Sequence, residues 1–257
     1  MKRVTHHGRE TAYRVFDRGA DGATVLFIHG SGGTSGIWKS QHRLADEHRI
    51  VTLDLSGHAK SDDVNSDPGY ETLSAYVDDV IAVAEATDTD TVVGHSMGGA
   101  VALQAVLNRD LTPDRLGLVG TGARLAVLED LLAWLETDFD RAIEFLHKPD
   151  RLFHDPDPRL VELSLAAIDD VGQSVTARDF QTCHSFDVRD SIDEITVPTL
   201  AIVGEHDKLT PRRYHEYLAD ELPDCRLAIV EDAAHLAMLE QPQAFNAALS
   251  SFLSAAD

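Results

Sequence analysis

A strand, a sharp turn and a helix surround the first residue that could do chemistry, Ser96. Residues 91–100 read T-V-V-G-H-S-M-G-G-A, so glycines stand two positions either side of the serine, at Gly94 and Gly98. Side chains at those positions would collide across a tight turn. A G-x-S-x-G turn of this kind, a nucleophile elbow, holds the serine hydroxyl above the carboxyl ends of the strands. Ser96 is therefore predicted to be a nucleophile. The alternative is a glycine-rich turn with an incidental serine.

Acyl transfer at a serine also needs backbone N–H groups that bind the developing oxyanion. The Met97 N–H, at the start of the helix, is predicted to supply one. The other is expected from the loop that ends an apolar strand, F-I-H-G-S-G-G over residues 27–33. We assign it to the N–H of Ser31, the residue after His29-Gly30. The alternative is an ordinary strand-to-helix connection.

A carboxylate and a histidine complete the candidate set. Residues 202–211, I-V-G-E-H-D-K-L-T-P, end a strand and lead into a helix. Asp207 in this turn is predicted to orient a histidine and stabilise its protonated form, with Glu205 as the local competitor. His235, which follows the last predicted strand, is expected to be the general base. Five other histidines are expected to be solvated: His6, His7, His42, His48 and His215.

Elements of two kinds alternate along the chain and must position these residues. Strands are predicted at Tyr13–Asp17, Thr24–His29, Ile50–Leu55, Thr91–Gly94, Leu116–Gly120, Thr199–Gly204 and Arg226–Val230. Helices are predicted at Ile37–His48, Leu73–Ala86, Met97–Asn108, Arg212–Glu221 and Ala244–Ser254. Several strands are apolar without alternation, which is typical of strands covered on both faces. The pattern predicts an α/β fold, a mostly parallel central sheet with helices on both faces.

One stretch interrupts this alternation. Between about Arg124 and Ser191 no strand is predicted, and the apolar spacing predicts short amphipathic helices at Leu125–Leu135, Arg141–Leu146 and Pro158–Ile168. A helical insertion in an otherwise regular α/β chain is a candidate lid over the site. We therefore expect a hydrolase core in two parts, residues 1–123 and 191–257, with a helical cap or lid over residues 124–190.

The order of the candidates along the chain, Ser96 then Asp207 then His235, is that of the α/β-hydrolase superfamily. The chain resembles its compact esterase, lactonase and cofactor-free haloperoxidase-like group. Residues 54–62, D-L-S-G-H-A-K-S-D, resemble that group's D-x-x-G-H-G-x-S-D turn, with Ala59 in place of a glycine. The likeness covers nearly all of 1–123 and 191–257, and says almost nothing about 124–190.

The resemblance implies a serine hydrolase that cleaves a small to medium carboxylic ester through an acyl-enzyme at Ser96. It implies no cofactor and no metal. Hydrolysis of lactones or enol-lactones, and hydrolysis or lysis of C–C bonds, are alternatives on the same three residues. A ligand-binding module on the same fold is a further alternative. A serine at the elbow disfavours the related dehalogenases and epoxide hydrolases, for which the resemblance implies an aspartate.

Composition limits the partners. The chain of 257 residues has 44 acidic and 22 basic residues, giving a net charge of −22, with 30 Asp and only 5 Lys. Such a field repels nucleic acid and anionic membranes, so the expected partner is a small ester or lactone. The dispersed acids resemble those of proteins from salt-accumulating cells. Two cysteines and no visible signal peptide or membrane span favour a cytoplasmic protein, expected as a monomer or small homo-oligomer.

Overall fold

The computed structural model describes residues 1–109 and 111–255. Asp110, within the expected first part of the core, and residues 256–257, at the end of the expected second part, lie outside the described residues. The strands are β1 Lys2–His6, β2 Arg9–Phe16, β3 Thr24–Ile28, β4 Arg49–Leu53, β5 Thr91–His95, β6 Arg115–Val119, β7 Thr199–Gly204 and β8 Cys225–Val230. The α-helices are α1 Tyr70–Thr87, α2 Met97–Asn108, α3 Glu129–Thr137, α4 Phe139–Leu146, α5 Pro158–Val171, α6 Gln173–Ser185, α7 Arg212–Glu221, α8 Ala237–Glu240 and α9 Pro242–Leu253.

The eight strands form one sheet in the order β1-β2-β4-β3-β5-β6-β7-β8. The pairs β1/β2 and β2/β4 are antiparallel, and every pair from β4 to β8 is parallel. The carboxyl ends of β3, β5, β6, β7 and β8 therefore meet at one edge of the sheet, where open α/β sheets place their sites. The predicted fold class is confirmed.

The core lies on both faces of this sheet, as the unalternating apolar strands predict. In β3, Leu26 packs in the cluster that contains Tyr76 of α1, and its neighbour Phe27 packs in the cluster that contains Phe245 of α9. All four side chains are fully buried. Because both faces of β3 are covered, the strand is held rigidly beneath the loop that follows it.

The amino-terminal strand β1 was absent from the predicted elements. It pairs with β2 through a two-residue turn, His7-Gly8, in which both residues have positive φ, 45° and 78°. That is the geometry of a type I′ hairpin turn, for which Asn-Gly or Asp-Gly is the usual signal. Since His-Gly carries no such signal and β1 is mostly exposed, neither the turn nor the strand is evident in the sequence.

Two further elements differ from the prediction. The expected helix over 37–48 is a pair of 3₁₀ segments, Ser35–Trp38 and Gln41–Asp46. Burial of Trp38 and Leu44 against the sheet fixes these short segments in place of one continuous helix. Between β6 and β7 the chain forms α3 to α6, of which α6 was not predicted. No helix in the described part of the chain is long and apolar enough to cross a membrane.

Candidate active site

Ser96 lies at a strained turn between β5 and α2. Its backbone has φ 53° and ψ −117°, a conformation that L-residues rarely adopt. A Cβ added at Gly94 would lie 2.2 Å from the Gly98 carbonyl oxygen, and one at Gly98 would lie 2.6 Å from the His29 carbonyl oxygen. Both separations are far below contact distance, so the turn tolerates no side chain at either glycine. The strained turn sets the serine at the carboxyl edge of the sheet.

Asp207 and His235 meet directly behind this edge. The Asp207 Oδ2 atom accepts a hydrogen bond from His235 Nδ1 at 2.8 Å. The other carboxylate oxygen accepts the N–H groups of Leu209 and Thr210 at 2.8 and 2.9 Å. The Thr210 hydroxyl adds a bond to Oδ2 at 2.8 Å. Three donors besides the imidazole therefore fix the carboxylate, and the carboxylate fixes the ring.

The electrostatics of this pair favour a charged aspartate. Burial acts to raise the pKa of Asp207, but the charge of His235 and its hydrogen bond, with those from Thr210, outweigh burial and lower the pKa. An ionised carboxylate accepts the Nδ1 proton, which leaves Nε2 of His235 as the ring nitrogen free to take a proton.

Glu205, the competing acid, lies elsewhere. Its side chain is 50% exposed, with one carboxylate oxygen 3.7 Å from His206 Nε2. The same oxygen accepts the N–H of Asp232 at 3.5 Å. The structure therefore brings Asp207, and not Glu205, to His235.

Ser96 and His235 line one cavity of about 610 Å³, together with Ser31. Its wall is largely apolar and comes in good part from the segment between β6 and β7. Six of these side chains are Leu128, Leu131, Phe145, Leu163, Ile168 and Phe180. A cavity of this size and lining suits a small to medium organic molecule.

Of the two residues whose N–H groups are assigned to an oxyanion, Ser31 lines this cavity, and Met97 directly follows the lining residue Ser96. Within the described chain, neither the Met97 N–H nor the Ser31 N–H donates to a protein acceptor. In the Ser31 loop, the neighbouring N–H groups are engaged: Gly32 donates to Asp179 at 2.9 Å and Gly33 to the Gly30 carbonyl at 3.1 Å. The loop thus leaves the Ser31 N–H available for a ligand.

A buried network that sequence reasoning missed holds this loop. Asp179, in α6, is fully buried and accepts hydrogen bonds from Gly32 N at 2.9 Å, from His58 Nε2 at 2.9 Å and from the Tyr76 hydroxyl at 2.6 Å. One carboxylate therefore joins the insertion, the Ser31 loop over residues 27–33, the turn after β4 and helix α1. His58 lies in the D-x-x-G-H turn, so the sequence motif marked this residue of the His58–Asp179 pair. Asp179 had none, because α6 was not predicted.

The electrostatics of the His58–Asp179 pair favour the charged form of both side chains. Burial acts to lower the pKa of His58, but the charge and hydrogen bond of Asp179 outweigh it and raise the pKa. Burial acts to raise the pKa of Asp179, and the His58 charge and the bonds from His58, Tyr76 and Gly32 lower it. The two partners stabilise each other's charged forms in a site that contains no water-accessible surface.

Two more buried histidines support the site as neutral rings. His95 Nε2 lies 3.1 Å from the His235 carbonyl oxygen, and burial, with the nearby His235, lowers the pKa of His95 well below its usual range. His215 accepts the Thr121 N–H at 3.1 Å, and burial lowers its pKa to about 4. The expectation that His215 is solvated is wrong: the residue is fully buried, as His48 nearly is.

Among the described residues, two overlapping groups have the donor types of a metal site, Glu205 with His206 and Asp232 at the exposed edge, and a second, less exposed group. Ligand atoms of Asp150, His154 and His206 lie within 4.8 Å of one another. The two imidazoles are stacked, 3.7 Å apart and 11° from parallel, so their nitrogens do not converge on one point. Asp150 is bonded to both Lys208 and His154, which hold its pKa at about 2. These contacts satisfy the carboxylate, and the absence of a metal or cofactor from the reaction stays a prediction.

The fold and this site together define a class of protein, the hydrolases built on an eight-stranded α/β sheet with a strained serine elbow. Residues 25–248 match the model of the alpha/beta hydrolase family, and the chain belongs to that family. It is an enzyme of the hydrolase class, as the resemblance implied.

This chain matches relatives that are named as hydrolases, and each match covers nearly the whole length of both proteins. RutD of Agrobacterium fabrum, provisionally named a carbamate hydrolase, is 29% identical over 93% of this chain and 95% of its own. The pimeloyl-(acyl-carrier protein) methyl ester esterase of Pectobacterium atrosepticum is 26% identical over 92% and 96%. A solved thermophilic esterase matches with a TM-score of 0.85 at 30% identity, covering 98% of this chain and 96% of that one.

Proposed function

We propose that this hydrolase is a serine esterase that cleaves carboxylic esters of small to medium size. Ser96 attacks the ester carbonyl carbon while His235 takes the hydroxyl proton at Nε2. The N–H groups of Ser31 and Met97 bind the resulting oxyanion, and Asp207 stabilises the protonated imidazole. His235 then protonates the departing alkoxide, which leaves an acyl-enzyme. Water attacks the acyl carbonyl carbon while His235 takes its proton, and the carboxylic acid departs as His235 returns that proton to Ser96 Oγ.

One observation carries this proposal. The 2.8 Å bond between Asp207 and His235 Nδ1 lies at a cavity whose wall also contains Ser96 at a strained elbow. A carboxylate, a ring and a hydroxyl arranged in this way activate a weak nucleophile for acyl transfer. Two relatives carry ester-cleaving names, the methyl ester esterase and the thermophilic esterase, which supports an ester as the substrate class.

The test is covalent labelling combined with ester turnover. Wild-type protein is expected to bind a fluorophosphonate at Ser96 and to release p-nitrophenol from simple esters with an initial burst. Ser96→Ala should abolish labelling and reduce kcat by a factor on the order of 10⁴ to 10⁶. Ser174→Ala, at an exposed serine of α6, is the matched control and should behave as wild type. The assignment is contradicted if the Ser96→Ala protein is labelled, or if it retains more than a few per cent of wild-type turnover.

We further propose that residues 124–190 form a cap over the site and that residues 1–123 and 191–257 form the core. Helices α3 to α6 fall within the cap range, and the cavity wall contains side chains from them. Asp179 of α6 also accepts a hydrogen bond from Gly32 in the Ser31 loop. Substitutions at Leu128 or Phe145 are accordingly expected to change chain-length preference more than labelling of Ser96.

We also propose adaptation to high salt. The surface acids have few basic partners, and repulsion among unscreened charges opposes the compact state. Salt shortens the screening length from about 30 Å at 0.01 M to about 3 Å at 1 M.

The reducing cytoplasm remains our proposed location, supported by the free thiols of Cys183 and Cys225. A monomer or small homo-oligomer is proposed, and light scattering measures it.

A further inference from the structure

The charges that line the active-site cavity have the opposite sign to those of the rest of the chain. The charged lining residues are Lys39, Arg151, Lys208 and Arg213. Among the described residues, no aspartate or glutamate lines this cavity, although acids outnumber bases 44 to 22 in the chain. A random share of this composition would give more acids than bases. Acids are therefore excluded from the cavity wall, and bases are retained there.

Among the described residues, a carboxylate partner is found for one of these four cations. Lys208 Nζ lies 2.5 Å from Asp150 Oδ2. In the described chain, Arg151, Arg213 and Lys39 have no Asp or Glu oxygen within 4.0 Å. Arg213 and Lys39 are exposed, so water solvates them. Arg151 is only partly exposed and needs a different explanation.

The Arg151 guanidinium is held without a counter-charge against the cavity wall. It lies over the Phe145 ring, 3.4 Å from the ring centroid, and donates to the Phe145 carbonyl oxygen. Burial lowers the pKa of Arg151, so desolvation disfavours its charge and no nearby carboxylate offsets this. A partly desolvated guanidinium whose remaining N–H groups donate to no described residue is suited to bind an anion.

The backbone fixes Arg151 relative to the proposed general base. The Arg151 carbonyl accepts the N–H of His235 at 3.1 Å, and the Leu152 carbonyl accepts the N–H of Leu236 at 3.0 Å. The segment that carries the guanidinium is thus bonded directly to the loop that carries the imidazole. A group bound by Arg151 is held at a fixed position relative to the ester attacked by Ser96.

We propose that the substrate is an ester with a second, anionic end, a free carboxylate, and that Arg151 binds this carboxylate. The inference rests on the proposed esterase function and names its substrate class. A carboxylate matches the single charge of Arg151 and the planar fork of its N–H groups. The apolar wall accommodates the methylene chain between the two ends, and Lys39 and Arg213 make the cavity wall still more positive.

The test compares esters that differ in charge and not in length. The monomethyl and dimethyl esters of glutaric, adipic and suberic acids form such pairs, and the dimethyl value is halved for its two equivalent esters. Assays run in 1 M KCl, where the screening length of about 3 Å suppresses long-range repulsion by the acidic surface. For at least one chain length, wild-type kcat/KM should favour the monomethyl ester at least about 10-fold, mainly through KM.

Variants assign this preference to one side chain. Arg151→Gln should lower the monomethyl-to-dimethyl ratio roughly 10- to 100-fold, and Arg151→Lys should restore part of it. Arg189→Gln is the matched control, because Arg189 is a surface arginine paired with Asp187 away from the cavity wall, and its ratio should equal that of wild type. Thermal melts of Arg151→Gln and its dimethyl turnover report any damage to the fold.

Two results overturn the inference. The first is a monomethyl-to-dimethyl ratio of kcat/KM that is one or less in wild type at every chain length. The second is a ratio that does not change in Arg151→Gln. Both presuppose that the enzyme labels at Ser96 and turns over the dimethyl ester. Failure of labelling or of all ester turnover would instead refute the proposed esterase function.

Discussion

Replacing the buried carboxylate of Asp179 tests how the insertion supports the site. Asparagine has nearly the same shape but no charge. Its single oxygen can still accept from His58 and Gly32, and its amide can donate to the Tyr76 hydroxyl oxygen, which reverses that bond and leaves the hydroxyl proton without its present acceptor. Asp179→Asn therefore removes the charge interaction while leaving the packing of the network in place.

The expected cost follows from the burial of both charges. Asp179 and His58 each have no exposed side-chain surface, and removing one partner of a buried pair costs about 3 to 5 kcal/mol. Because asparagine can keep the bonds from His58 and Gly32 and a reversed contact with Tyr76, we expect the low end, about 3 kcal/mol. For a chain of this size each kcal/mol lowers Tm by about 2 to 4 °C, so Tm should fall by roughly 6 to 12 °C.

The cost should depend on pH in a defined direction. The lowered pKa of Asp179 stabilises the fold above the usual aspartate range, and that contribution is lost as pH falls through the folded pKa. The raised pKa of His58 stabilises the fold below the usual histidine range, and that contribution is lost as pH rises through the folded pKa. The wild-type advantage should therefore be greatest between about pH 4 and 6.5.

Thermal melts at pH 5.5 and 8.5 in 1 M KCl measure this difference. Asp187→Asn, at an exposed acid paired with Arg189, is the control and should shift Tm by no more than about 2 °C. The Asp179→Asn deficit should be larger at pH 5.5 than at 8.5. A deficit as small as that of the control, or one equal at both pH values, would refute the charged pair.

Three further outcomes are expected. Asp207→Asn should reduce kcat on the order of 10⁴-fold in an ester assay, because it favours the wrong His235 tautomer. Glu205→Gln should reduce kcat far less, and the reverse ranking would show that Asp207 is not the acid. Gly94→Ala should yield little folded protein by circular dichroism, since the added methyl meets a carbonyl oxygen at 2.2 Å, and a wild-type melt would contradict the tight turn. Tm should rise between about 0.05 and 3 M KCl, and a flat or falling Tm would exclude adaptation to salt.

Sequence patterns predicted the elements whose signals are local. The strand over 199–204 and the helices over 97–108 and 212–221 have the predicted bounds, because apolar runs, Gly-rich turns and Pro211 mark their limits. The glycines at 94 and 98 likewise follow from a steric rule that acts over five residues. In each case the information that fixes the structure lies within the segment itself.

Features that depend on distant partners escaped prediction. Asp179 is one of 30 aspartates, and only its contacts with residues more than 100 positions away distinguish it from a surface acid. His215 lies in a charged helix, yet a backbone N–H from 94 residues away binds its ring in the core. Arg151 shows the same limit, since its lack of a carboxylate partner is a property of the folded cavity wall. No pattern within one segment encodes such pairings.

The two charge patterns of this protein should respond differently to salt, and that difference separates them. Repulsion among surface acids acts over many ångströms, so screening removes it within the first molar of salt. A guanidinium–carboxylate contact is a short hydrogen-bonded pair in a partly apolar cavity, where screening is weaker. Rising salt should therefore relieve the repulsion of an anionic ester from the whole molecule while sparing its contact with Arg151. An acidic surface and a basic cavity are then compatible in one enzyme, because salt weakens the repulsion by the surface acids much more than the contact between Arg151 and a carboxylate.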